Sequence, residues 1–403
     1  MKQGPRKLFL LFLLLLWGTF SCAHEAAFII DETISIVDEL ISVVDQKKSM
    51  KILMVVSTFP SIHEVCILNQ ITGLIDRGHE VHIYASRKGD CVNVQESVLS
   101  YDLLNLTFFK NLPFNLNYYD IIVFQLGHKT RDIKNTHNFK GKIAMCLRGY
   151  DITAFLRKNP NFYNKYFKTC DLFMPVCEAF KTILEQKGCS SDKIVVCHSA
   201  IDCSQFMFKL RNISEDETIN IISAGRFVEK KGFEYSIKAI AQLIKRYPRI
   251  HYTIIGDGVL KETYQQLINQ LGVADNIKID SWRTHKEYVS ILDKAHIFVL
   301  PSVIAENNDQ EGIANVLKEA MAMGLIVVAT DHSGNSELIQ DGVSGFLVPE
   351  RNDTAIAKAI EYIINNSYQW SLIQLAAAYK VHNEFEKEKE NDKLEETFYT
   401  LLK

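Results

Sequence analysis

Residues 311–337 read EGIANVLKEAMAMGLIVVATDHSGNSE, a succession of loop, helix, strand and polar turn that decides the fold. Glu311 and Gly312 stand in the loop, residues 314–323 have the spacing of a short amphipathic helix, and residues 325–330 form a continuous apolar run. A strand that is apolar on both faces belongs in a parallel sheet covered by helices. The N–H groups at the helix start, near Asn315 and Val316, have no partner within the helix, and with the helix dipole they favour an anion such as phosphate. Glu319 follows Asn315 on the same helical stripe, and Glu311 precedes both. Two acids beside a phosphate cradle would repel it, so they are better explained as acceptors for ligand hydroxyls. That combination suits a nucleotide sugar. Taken singly, either glutamate reads equally well as a solvated residue on a surface helix.

The company they keep is more specific. The pair spaced E-x7-E, Gly312 and the run Glu319-Ala320-Met321-Ala322 resemble the donor signature of family 4 retaining glycosyltransferases. Ser333-Gly334-Asn335-Ser336-Glu337 and Asp341-Gly342-Val343-Ser344-Gly345-Phe346-Leu347-Val348 continue the likeness. The resemblance implies an α/β fold class, two Rossmann-like doubly wound domains facing across a cleft (the GT-B arrangement). It also implies Glu311 on the donor sugar and Glu319 on the ribose.

Upstream, residues 219–224 restart a sheet, and Gly225-Arg226-Phe227-x-x-x-Lys231-Gly232 follows at the strand's end, before a helix over residues 233–247. This order aims Arg226 and Lys231 at the cleft, and the resemblance gives them the donor diphosphate. Fixed cations there stabilise the negative charge left on a departing diphosphate more than they stabilise the ground state. Lys230 reads as a solvated neighbour. Residues 251–255 form another strand, closed by Gly256-Asp257-Gly258 beside the nucleotide site. Cations and a helix dipole can replace a divalent metal, so no metal or other cofactor is expected.

The first half shows the same alternation. The apolar run from Met50 to Ser57, a helix over residues 64–77 and further strands over residues 80–85, 120–126, 142–147, 171–176 and 193–197 imply a doubly wound domain. Phe59-Pro60-x-x-His63-Glu64, Arg77-Gly78-His79-Glu80-Val81, Arg148-Gly149-Tyr150-Asp151 and Ala200-Ile201-Asp202 resemble the colanic-acid-type exopolysaccharide branch of the same family. In that family this half receives the acceptor, a glycan or a lipid-linked saccharide, which brings Glu64, Arg148 and Asp151 to the acceptor side. Many relatives carry histidine at the positions of Val123, Gln125 and Arg148. Arginine stays protonated and cannot be a base, so Arg148 either touches ligand or pairs with Asp151.

The resulting organisation is a signal-like or anchoring segment over 1–23, a spacer over 24–49, an acceptor domain over 50–208 and a linker over 209–218. A donor domain over 219–366 and terminal helices over 367–403, packing back on the first domain, complete it. The mixed-sign run from Glu384 reads as a solvated face. Lys2, Arg6 and Lys7 before the apolar residues 8–17, with Ser21-Cys22-Ala23 after them, have the grammar of a signal peptide. Cleavage there predicts export. Retention as an anchor, or translation from Met50, predicts a cytoplasmic or membrane-associated enzyme with a peripheral membrane contact. A chain of 403 residues with 47% hydrophobic content supports two cores, and a net charge of −3 gives no reason to expect nucleic acid. The nine cysteines lack metal-ligand spacing and read as reduced, mostly buried thiols. Two rivals remain at this level: a nucleotide-sugar epimerase or hydrolase of the same fold, and a non-catalytic exported carbohydrate-binding protein.

Overall fold

Uninterrupted apolar runs make the strands. In β1, Lys51–Phe59, the residues Ile52, Leu53, Met54 and Val55 are all fully buried, as a central parallel strand requires. The computed structural model describes residues 48–61, 64–91, 94–112, 115–133, 136–213 and 217–403. The segment expected at 1–23, nearly all of the spacer and His63 lie outside these residues.

The first sheet adds β2 (Glu80–Lys88), β3 (Thr107–Phe109), β4 (Ile121–Phe124), β5 (Lys142–Leu147) and β6 (Leu172–Pro175). The second holds β7 (Ile219–Ala224), β8 (Ile250–Ile255), β9 (Ile277–Asp280), β10 (Ile297–Leu300), β11 (Ile326–Thr330) and β12 (Phe346–Val348). Each is six-stranded, in the orders β3-β2-β1-β4-β5-β6 and β12-β11-β10-β7-β8-β9. Counted from its own first strand, each sheet therefore runs 3-2-1-4-5-6, the doubly wound order whose crevice opens between the first and fourth strands. Every pairing is parallel, with Ile52 opposite Val81 on one side and Ile121 on the other. The expected α/β class of two Rossmann-like sheets is what the chain adopts.

Two expectations are corrected. Residues 193–197 are not a strand. Ser191–Lys193 is a 3-10 turn, after which only the amides of Val195 and Cys197 reach β6, bonding the carbonyls of Phe173 and Pro175. The charged C-terminal run is also more than a solvated face. It breaks at Phe385, fully buried, and resumes as the helix Lys387–Leu402. Leu394 and Phe398 of that helix are buried with Ile67, Ile71 and Leu74 of the helix Val65–Asp76 in the core of the first sheet. Arg77 bonds Glu388 and Asp392 across the same contact, and His79 Nε2 lies 3.0 Å from Glu395. The linker is anchored at its start. Arg211 is buried, its amide donates to Gln374, and its guanidinium donates to the carbonyls of Asp293 and Met323. The cysteines from Cys66 to Cys203 are all free thiols, and burial pushes Cys146 up to about 11 and Cys197 up to about 12.

Candidate active site

The turn after β7 is built by glycines that no other residue could replace. Gly232 has φ +63°, and a Cβ there would lie 2.0 Å from the carbonyl oxygen of Pro301. Gly256, after β8, would place a Cβ 2.0 Å from the carbonyl oxygen of Gly225, so its absence lets the two strand ends approach. This turn carries Arg226, Lys230 and Lys231. Arg226 is exposed, and its side chain makes no hydrogen bond or ion pair to another described residue. Lys231 is buried with its ammonium 3.2 Å from Glu311 Oε2.

Lys230, expected to be solvated, is buried instead. It pairs with Asp309 Oδ1 at 3.2 Å and with Glu311 Oε1 at 3.1 Å, so the two lysines take one carboxylate oxygen each. Burial alone would raise the Glu311 carboxyl, but Lys231 and Lys230 outweigh it and hold the group well below the usual carboxylate range. The backbone is fixed as well. The Glu311 amide donates to His332 Nε2 at 3.1 Å, which requires the proton of that ring on Nδ1, facing Glu350 Oε1 at 2.5 Å. Sequence reasoning passed over His332, Glu350 and Asp309.

The helix Asn315–Ala322 begins four residues after Glu311, and its N-cap residue, Ala314, has no side-chain oxygen to cap it. Its first amides have no carbonyl within the helix to bond. Asn315 accepts from Lys318 Nζ at 3.1 Å, and Val316 is half-buried. Glu319 accepts from the Tyr288 hydroxyl at 3.0 Å, and burial pushes its carboxyl up to about 7 against the opposing pull of Tyr288, Lys318 and Lys231. Gly312 lies against the first half: a Cβ there would sit 2.6 Å from Val176 Cγ2.

At the end of β5 the structure answers the question left open for Arg148. The guanidinium does not pair with Asp151. That carboxylate, fully buried, accepts the backbone amides of Gly127, Arg148 and Gly149 at 2.9, 2.9 and 3.0 Å, and so shapes the loop after β5. The Arg148 side chain donates through Nε to the Gln125 carbonyl, through Nη1 to Cys66 Sγ and Ser199 Oγ, and through Nη2 to Gln70 Oε1 and Gln125 Oε1. A guanidinium has five N–H donors, and these five bonds employ all of them. Gln125 stands where relatives carry histidine, so two of the departures from the family pattern are bonded to each other. Burial raises the Glu64 carboxyl, with Arg148 opposing. The two sides adjoin: Gly149 packs so tightly that a Cβ would lie 2.9 Å from the carbonyl of Gln310, next to Glu311.

The family model described as "Glycosyl transferases group 1" matches residues 206–380. WcaL of Escherichia coli (strain K12) is 30% identical, over 77% of this chain and 90% of the relative. The amylovoran biosynthesis glycosyltransferase AmsK of Erwinia amylovora is likewise 30% identical, over 83% of this chain and 96% of the relative. Among solved structures, Anabaena Alr3699/HepE in complex with UDP superposes with a TM-score of 0.70 at 19% identity, over 87% of this chain and 100% of that one.

Proposed function

This chain belongs to the group 1 glycosyltransferases, in the exopolysaccharide branch of family 4, and on that footing we propose that it moves a hexose from a nucleotide diphosphate sugar to a hydroxyl of a glycan or lipid-linked saccharide, with retention at the anomeric carbon. The observation that carries this reading is the pairing of Lys231 and Lys230, on the turn that also carries Arg226, with Glu311 just ahead of the uncapped start of the helix Asn315–Ala322. The names of AmsK and WcaL, given for amylovoran and colanic acid biosynthesis, agree with an extracellular polysaccharide as the product, and HepE has been crystallised with UDP-glucose.

The ion pairs suggest a division of labour. An incoming diphosphate takes Lys231 and Arg226 as counter-ions, while Lys230 and Asp309 keep Glu311 in place. Glu311 then accepts hydroxyls of the donor sugar, and Glu319 accepts those of the ribose. The anomeric carbon–oxygen bond to phosphate breaks as the acceptor oxygen bonds to the same face. The acceptor proton passes to the departing phosphate oxygen. Such a step needs fixed positive charge at the leaving group and no side-chain base, which suits an acceptor side where arginine and glutamine stand at positions of family histidines. Positive charge from Arg226 and Lys231 and from a helix dipole makes a divalent metal unnecessary in this proposal.

The decisive experiment is turnover by Lys231→Ala with product analysis. Loss of one transition-state electrostatic contact lowers turnover by about 100- to 1,000-fold, so an undiminished rate overturns the role of Lys231. The proton coupling constant of the product's anomeric centre reports retention or inversion. Release of free sugar from donor alone, with no acceptor product, would identify a hydrolase.

A further inference from the structure

Lys318, fully buried, and Arg148, half-buried, stand beside different sheets, and they meet at one residue. Arg148 Nη1 donates to the hydroxyl of Ser199 at 3.2 Å, and Lys318 Nζ donates to the backbone carbonyl of the same serine. Lys318 is the only residue between Leu317 and Glu319, and its side chain is fully buried. Its ammonium also reaches Asn315 Oδ1 at 3.1 Å and the Ile313 carbonyl at 3.5 Å, and so spans the start of the helix that carries Glu319. The preceding residue is gripped in the same manner: His198 Nε2 lies 3.1 Å from Glu337 Oε2, and Glu337 Oε1 accepts the amide of Glu178 at 2.8 Å. A chain of hydrogen bonds therefore runs from Gln70 and Gln125 through Arg148, Ser199 and Lys318 to Asn315.

We propose that Ser199 is a positioning residue through which the acceptor side sets the geometry of the helix Asn315–Ala322, so that occupation of one side alters affinity at the other. This rests on the donor-site reading given above. The physical reason is that neither cation can give up its acceptor cheaply. A buried charge that loses a hydrogen-bond partner has no water to replace it. A shift of the Arg148 guanidinium, whose charge is felt by the Glu64 carboxyl, must then be taken up by Ser199, and a shift of Ser199 by Lys318. Couplings between sites carried in this way commonly change affinity by about 5- to 150-fold.

Ser199→Ala removes the hydroxyl that Arg148 uses and keeps the carbonyl that Lys318 uses, which makes it the informative variant. Arg148→Gln breaks the same link from the other end. Two readouts are needed: amide hydrogen exchange of peptides covering residues 312–323 in the full chain, and affinity for whichever of UDP, GDP and ADP binds the parent protein. Each variant is expected to speed exchange of those peptides about tenfold, a local opening effect, and to weaken nucleotide binding about fivefold. The double variant should do no more than either alone, and Ser199→Thr should restore both values. Unchanged exchange in Ser199→Ala overturns the proposal. So do effects that multiply in the double variant, since independent sites add in free energy. Equal acceleration in peptides from β8 overturns it too, because it marks general destabilisation. Coupled exchange in a protein that binds none of the three nucleotides would leave the coupling standing and remove the donor-site reading instead.

Discussion

At the scale of single residues, Glu319 and Glu311 show how two carboxylates of one motif diverge. Glu311 faces two lysines; Glu319 accepts from a tyrosine and forms no ion pair with another described residue. Its carboxyl is raised to about 7 by burial. A group raised on folding adds stability that is complete below its unfolded value and is lost as pH rises through its folded value. Glu319→Gln removes that titration. Unfolding of both proteins in urea at pH 5 and at pH 8 should therefore show the parent losing up to about 3 kcal/mol relative to the variant; parallel stabilities at the two pH values would refute the burial account. The loops that carry the motif glutamates, Arg226 and Lys231 were legible because glycine and charge recur at set offsets from strand ends. Lys230 was not, since its burial depends on Asp309 and Glu311, contributed by a loop remote in sequence. Lys318 did leave a signal: Ala314 and Ala322, one turn before and after it, are apolar, which puts it on the buried face.

At the scale of elements, apolar runs located the long strands because a parallel strand is buried on both faces. The same rule overreached at residues 193–197, which are apolar enough for a strand but meet only one neighbour. Short β3 and β12 escaped because three residues carry no period. The terminal helix Lys387–Leu402 was harder to read. Its charged residues dilute the apolar stripe, yet Leu394 and Phe398 are 2% and 0% exposed. Removing a buried phenylalanine ring destabilises by about 3–5 kcal/mol. Phe398→Ala should lower the midpoint of the earliest urea transition accordingly, followed by tryptophan fluorescence and circular dichroism. An unchanged midpoint would show that this helix adds nothing to the first half.

At the scale of the whole molecule, strand and helix alternation foretold two doubly wound sheets, because each sheet is assembled from local units. Which residues meet between the halves was not foretold, although the return of the terminal helices to the first one was. Gly312 against Val176, Glu337 against Glu178 and Lys318 against Ser199 depend on tertiary placement with no local pattern. A nucleoside diphosphate that binds the native state alone should raise the melting temperature by mass action, equivalent to about 2.7 kcal/mol at a hundredfold excess over its Kd. A thermal-shift panel of UDP, GDP and ADP checks this, and the shift should shrink in Lys231→Ala. The chain order has one more consequence. The helix Lys387–Leu402, packed on Val65–Asp76, follows the second sheet in the chain, so the core of the first sheet is assembled from segments on both sides of the second. A chimaera that exchanges the first sheet with a relative must therefore graft both flanks together; a single crossover in the linker would pair each new first half with a foreign tail.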